Sequence, residues 1–162
     1  MRLFVLTWVA VMATAAASTA QEVVYVIRHA EKELSGDDPS ITEVGRARAA
    51  AWAEMLLYAG LDVVFTSDAK RTQQTGDIIA GKLGLPINSM NRDDTAALID
   101  TLNFDHEEDT VLIVGHAETI PGILENLGAS ADTEISQSDF ANLFILIDTG
   151  TDQTRLIQMQ MP

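Results

Sequence analysis

The alternation of apolar and polar positions divides the chain into short β-rich runs and helical stretches. Val23 to Ile27 is a nearly continuous apolar run and predicts a strand. From Thr42, a good N-cap, a helix is expected to continue to about Ala59. Val44, Ala47, Ala51, Met55 and Tyr58 recur at helical spacing and predict its core-facing side, and Trp52, Met55 and Leu56 read as core. Asp62 to Thr66 predicts a second strand. Lys70 to Leu83 predicts a helix stopped by Gly84 and Pro86. Pro86 to Ser89 is a candidate short strand, and Thr95 to Leu102 a weak helix before the acidic loop His106 to Asp109. Thr110 to Val114 predicts a strand, and Pro121 suits the first turn of a helix ending near Gly128. Ala129 to Asp139 reads as polar loop. Leu143 to Ile147 and Arg155 to Met159 predict two strands around a turn at Asp148 to Asp152.

Strands alternating with helices imply an α/β fold of three layers, with a mostly parallel sheet and helices on both faces. The doubly apolar runs Val23 to Ile27 and Thr110 to Val114 suit strands covered on both sides. The length, 162 residues, suits one domain, and 47% hydrophobic residues suffice for a core. No repeat interrupts it.

The amino-terminal stretch changes the picture. Arg2 precedes an uncharged segment, apolar from Leu3 to Met12 and small at Ser18-Thr19-Ala20. This is the pattern of a secretory signal peptide over residues 1–20, leaving a single domain over residues 21–162. The expected product is exported, periplasmic in a Gram-negative host and otherwise secreted. The apolar run is short for a bilayer span, so no stable membrane anchor is expected. The chain lacks Cys, which excludes disulfides and thioether lipidation. A formal charge of −14 argues against a nucleic-acid partner, since phosphate backbones are held by clustered Lys and Arg.

Ligands in open α/β sheets bind beyond the carboxyl ends of the strands. Two histidines lie at such ends: Arg28-His29-Ala30-Glu31-Lys32 after the first strand, and Gly115-His116-Ala117-Glu118-Thr119 after Val111 to Val114. Ser67 to Thr72, with Arg71, follows the second strand and opens a helix. Two histidines, two arginines and helix-start amides could enclose a tetrahedral anion, because the guanidinium fork matches phosphate oxygens. Separately, each residue has an ordinary reading: a strand-end charge for Arg28, a buried structural imidazole for His29, a loop cap for His116. Arg46, Arg48 and His106 read as solvent-facing.

The segments Arg28-His29-Ala30-Glu31-Lys32, Thr42-Glu43-Val44-Gly45, Ser67 with Arg71-Thr72-Gln73-Gln74-Thr75, and Gly115-His116 together resemble the histidine phosphatase superfamily, also called phosphoglycerate-mutase-like. Within it the chain is most similar to the small bacterial branch that includes SixA-type phosphohistidine phosphatases. The resemblance implies a nucleophile at His29, phosphoryl-holding arginines at Arg28 and Arg71, and a second phosphate-pocket histidine at His116. It implies hydrolysis of a phosphomonoester or phosphohistidine through a phosphohistidine intermediate, on a small molecule or a phosphoprotein, with no cofactor and no metal. The general acid stays open. Some members carry Asp straight after the second histidine, where this chain has Ala117. Glu118 ranks first by nearness to His116, and Glu31, Asp93 and Asp94 are the other candidates. Two alternatives stand beside this reading. One is a metal-dependent hydrolase using the His29-x-Glu31 and His116-x-Glu118 pairs. The other is a phosphate-binding module without turnover. Specificity would lie in Glu33 to Ser40, Asn91 to Asp100 and Ala129 to Asp139, from which the substrate is not readable.

Overall fold

The computed structural model describes residues 23–129, 133–148 and 154–161. The expected signal segment, residues 1–20, and most of the expected turn at Asp148 to Asp152 lie outside the described residues.

The order of elements is β1 (Val23–Arg28), α1 (Glu43–Met55), β2 (Val63–Ser67), α2 (Lys70–Leu83), β3 (Ile87–Met90), α3 (Thr95–Asp105), β4 (Val111–Gly115), α4 (Ile120–Asn126), β5 (Asn142–Asp148) and β6 (Thr154–Gln160). One six-stranded sheet runs β3-β2-β4-β1-β5-β6. β3, β2, β4 and β1 pair in parallel, and β5 pairs antiparallel with both β1 and β6. The sheet is therefore mixed, with four parallel strands from the β3 edge to β1 and the antiparallel pair β5 and β6 on the other side, within a mostly parallel α/β architecture.

The two faces bury separate cores, and β4 divides its side chains between them with the two-residue period of a strand. Val111 and Ile113 join Phe65, Leu98, Leu102, Ile123 and Phe144 under α3 and α4. Leu112 and Val114 join Trp52, Leu56, Val64, Ile79 and Leu143 under α1 and α2. Both faces of β4 are thus covered, which explains its unbroken apolar sequence.

Local signals account for the helix ends. The Thr42 side chain accepts from the Gly45 amide at 3.0 Å and starts α1. Asp94 caps α3 through the Ala97 amide. Gly84 ends α2 in the left-handed region, at φ 72°, where a glycine has no Cβ penalty.

The rotation of α1 about its axis overturns one expectation. Gly45, Ala49, Trp52 and Ala53 are its buried residues. Val44 is 63% exposed, Met55 40% and Tyr58 94%, so this stripe faces away from the core. Trp52 and Leu56 are core as expected, and Met55 is not. The cause is steric: a Cβ at position 45 would collide with the backbone carbonyl of Glu31, so only glycine lets the helix approach there. That contact turns the larger residues outward. It also brings Arg48 to the buried side, where its Nε donates to Glu31 Oε1 at 2.7 Å, whereas Arg46 is exposed as expected. The helix stops at Met55 and continues to Ala59 only as turn and bend. His106 is likewise not a solvated loop residue. It caps α3, pairs through Nδ1 with Asp109 Oδ2 at 2.7 Å, and meets Phe65 edge-on with ring centroids 5.1 Å apart.

Candidate active site

The three neighbouring strands β2, β4 and β1 end side by side and deliver the candidate residues to one sheet edge. Arg28 is the last residue of β1 and lies in register with Gly115, the last of β4. The His29 amide donates to the Gly115 carbonyl at 2.9 Å, which brings the next residues of both strands together. The His29 and His116 rings meet with centroids 5.4 Å apart at 61°. Both are buried, at 2% and 4% exposure, as is Arg28 at 3%.

Each group is held from behind. His29 Nδ1 lies 2.8 Å from the Ala30 carbonyl oxygen. A carbonyl only accepts, so Nδ1 carries the proton and Nε2 presents its lone pair. The Ala30 amide donates to Thr75 Oγ1 on α2 at 3.1 Å, fixing the turn beneath the ring. Arg28 Nη1 donates to the carbonyls of Ser136 and Asp139 at 3.1 and 3.0 Å, and Nη2 to Gln137 Oε1 at 3.1 Å. Its guanidinium carbon sits 4.1 Å from the centre of the Phe140 ring. His116 Nε2 lies 2.8 Å from Ser67 Oγ at the end of β2. Arg71, on the first turn of α2, reaches Asp38 Oδ1 at 3.6 Å.

Burial dominates the electrostatics. It pushes the His29 imidazole down to about 3, helped by the positive charge of Arg28, although the bond to the Ala30 carbonyl works the other way. Burial also takes His116 down to about 4, with Arg71 adding to the effect. Both rings are neutral at physiological pH. Burial works equally against the charges of Arg28 and Arg71. A site that desolvates two cations this way favours an anion between them.

Three buried nitrogens point to that anion. Arg28 Nε, Arg71 Nε and His116 Nδ1 have no hydrogen-bond partner. Buried polar atoms are rarely left unpaired, because each loses its hydration without replacement. These three belong to residues near His29 and suit a tetrahedral oxyanion; the other two such atoms among the described residues are Glu31 Oε2, whose partner oxygen meets Arg48, and Trp52 Nε1 in the core beside α1.

The candidate acids fall in different places. Glu118 is exposed and accepts from Gln137 Nε2 at 2.8 Å, so Gln137 links it to Arg28. Its burial acts to raise the carboxyl pKa, but bonds from its own amide and from Gln137, with the charges of His116 and Arg28, hold it below the ordinary range. Glu31 turns to Arg48. Asp94 caps α3 and, with Arg92 and Thr95, rims a recess of about 370 Å³ of empty space, partly open, beside His116. Asp93 is exposed. Among the described residues, no group of three or more His, Asp and Glu is placed to hold a metal ion.

Several participants carried no sequence signal. Gln137, Ser136, Asp139 and Phe140 come from a polar segment without periodicity, more than a hundred residues from Arg28. Asp38 accepts from the Lys70 amide through both oxygens and so serves α2 at its start. Arg92 pairs with Asp68 at 2.8 Å, and its charge reaches both Arg71 and His116. Thr75 and Ser67 stood inside readable motifs, as did their partners Ala30, Thr72 and His116, but the sequence does not say which of these pair.

Comparison with known proteins agrees with this geometry. Residues 24–92 match the model of the histidine phosphatase superfamily, branch 1. No curated protein sequence matches significantly. Among solved structures, a candidate phosphohistidine phosphatase SixA from Nakamurella multipartitia is 25% identical, with TM-score 0.61, covering 88% of this chain and 96% of that one. A protein histidine phosphatase SixA complexed with tungstate is 16% identical, with TM-score 0.67, covering 85% and 96%. A mycobacterial glucosyl-3-phosphoglycerate phosphatase is 14% identical, with TM-score 0.65, covering 88% and 100%. These last two likenesses are of fold.

Proposed function

We propose that the chain is a histidine phosphatase, on its match over residues 24–92 to the model of that superfamily and on its fold, and that it hydrolyses a phosphorylated substrate through a phosphohistidine at His29. The observation that carries this reading is the set of unpartnered nitrogens, Arg28 Nε, Arg71 Nε and His116 Nδ1, around a neutral His29 whose Nε2 is free to attack.

In the reading, Arg28, Arg71 and His116 hold the phosphoryl oxygens and His29 Nε2 attacks phosphorus. The bond to the leaving atom breaks as the N–P bond forms. The ring becomes an N-phosphorylated imidazolium, and the Ala30 carbonyl that accepts from Nδ1 stabilises its positive charge. The cations offset the charge spread over the equatorial oxygens. Water then attacks phosphorus, the N–P bond breaks, and phosphate leaves. Glu118, ionised and exposed, fits an anchoring role toward Gln137 and Arg28 better than that of general acid. A phosphohistidine substrate suits a site without a protonated carboxyl, since a nitrogen leaving group can carry its own proton. A phosphomonoester remains the other substrate class of this reading. The Arg2-to-Ala20 segment supports export, with a mature chain beginning near Gln21.

Incubation with a labile phosphodonor, followed by mass analysis without acid, tests the proposal. Phosphate is expected on His29, and His29→Ala is expected to lose turnover while keeping its melting temperature within a few degrees. Full turnover in a folded His29→Ala variant would exclude the mechanism.

A further inference from the structure

The partners of His116 carry more information than the ring's place in the pocket. Thr72 Oγ1 lies 2.8 Å from the Ala69 carbonyl and 3.0 Å from the Ser67 carbonyl. Both are acceptors only, so the Thr72 hydroxyl hydrogen is spent on them. Thr72 Oγ1 also lies 2.8 Å from Ser67 Oγ. With the Thr72 hydrogen committed, the hydrogen in that contact is the one Ser67 owns. Ser67 Oγ then has only lone pairs left, and it accepts from the Ala69 amide at 3.2 Å and from His116 Nε2 at 2.8 Å. In the opposite arrangement, with Ser67 donating to His116, one of the short oxygen–oxygen contacts around Thr72 would have no hydrogen in it. Thr72 is fully buried and Ser67 nearly so, which leaves solvent little part in the count.

We propose that Ser67 and Thr72 hold the single proton of neutral His116 on Nε2, so that Nδ1 is bare in the free enzyme and His116 binds a phosphoryl group as an imidazolium, one proton entering with the anion. The proposal rests on the phosphatase reading of the pocket. A bare Nδ1 lone pair would repel a phosphoryl oxygen, and protonation converts it to a donor. Burial above all makes the free ring reluctant to charge; among the described residues that face it, Arg71 from α2, Arg92 after β3 and Arg28 from β1 also oppose the proton, Glu118 after β4 favours it, and the neighbouring His29 ring is neutral. A bound dianion reverses that balance, because it sits among the same arginines and offsets them. Ser67 is a positioning residue here: it sets which nitrogen is left to take the proton.

Nitrogen-15 NMR of labelled histidine and tungstate titration calorimetry test this. In free protein near pH 7 His116 is expected as the Nε2–H tautomer, and both its nitrogens are expected to be protonated once tungstate saturates the site. Tungstate binding measured in two buffers of different ionisation enthalpy is expected to draw about one proton per anion, and affinity to fall by up to about tenfold per pH unit above the free-state titration. Ser67→Ala is expected to mix the two tautomers and weaken tungstate several-fold, and Ser67→Thr to restore both. An Nδ1–H tautomer in the free protein, or tight tungstate binding without proton uptake, would overturn the proposal while leaving the phosphate pocket intact. Unchanged His116 spectra in folded Ser67→Ala would remove Ser67 from it. Complete failure of tungstate to bind would instead refute the pocket, and with it the function proposed above.

Discussion

At the scale of the residue, the site works by withholding water from groups that ordinarily have it. His29 titrates near 3 and His116 near 4 because they are buried, whereas an unfolded histidine titrates near 6.5. Between those values the unfolded chain binds protons that the native rings refuse. Stability contributed by the neutral rings is therefore complete above about pH 6.5 and falls as pH drops toward 3. Melting temperature should decline from pH 7.5 to pH 5, and saturating tungstate should lessen the decline; a flat profile without tungstate would contradict the burial of neutral rings. Arg28 permits a second test. Arg28→Lys keeps the charge but loses the planar fork that serves Ser136, Asp139 and Gln137 at once. A fall in kcat/KM of about 100-fold or more is expected, the usual scale for losing a preorganised donor to a developing charge.

At the scale of the element, the sequence was most legible where a residue's own chemistry decides the outcome. α2 runs from Lys70 to Leu83 as its pattern requires, because Gly84 and Pro86 stop it from within the chain. Thr42 starts α1 for the same kind of reason. The face of α1 was misread because two stripes share the helical period, and the larger side chains were the wrong guide. The close approach at Gly45 decides between them, and it depends on the Glu31 backbone, which lies outside the helix and leaves no mark on its periodicity. Gly45→Ala should accordingly cost about 1–3 kcal/mol through overpacking. Gly81→Ala is the matched control: a Cβ there meets nothing within 4 Å, and removing a glycine from the interior of α2 should raise stability by about 0.5–1 kcal/mol. Denaturant midpoints of the two variants should move in opposite directions.

At the scale of the whole molecule, the parallel order β2-β4-β1 makes the active edge inevitable once the strands are known, which is why His29, His116 and Arg71 could be grouped from sequence. The chain between β3 and β4 holds only α3 and short polar connections, with Asn91, Asp93 and Glu107 exposed. A mutase needs a substantial dry lid to keep a phosphohistidine from water, and this segment is too short and polar to form one. Label from a phosphorylated donor should appear as free phosphate even with excess alcohol or phosphoglycerate present, and transfer chiefly to the acceptor would refute a hydrolase. Activity should also persist in excess chelator, since in the proposed pocket Arg28 and Arg71 would take the electrostatic role of a cation. The segment from Ser136 to Phe140 was illegible because nothing in its composition announces that its carbonyls will receive Arg28. Three guanidinium hydrogens are committed to that loop before any substrate arrives. In the proposed pocket, the angle at which Arg28 would meet a phosphate is thus set by a stretch of chain that holds none of the proposed reacting groups. A lineage could retune this enzyme for a differently shaped substrate by lengthening or trimming that loop, with every reacting residue unchanged.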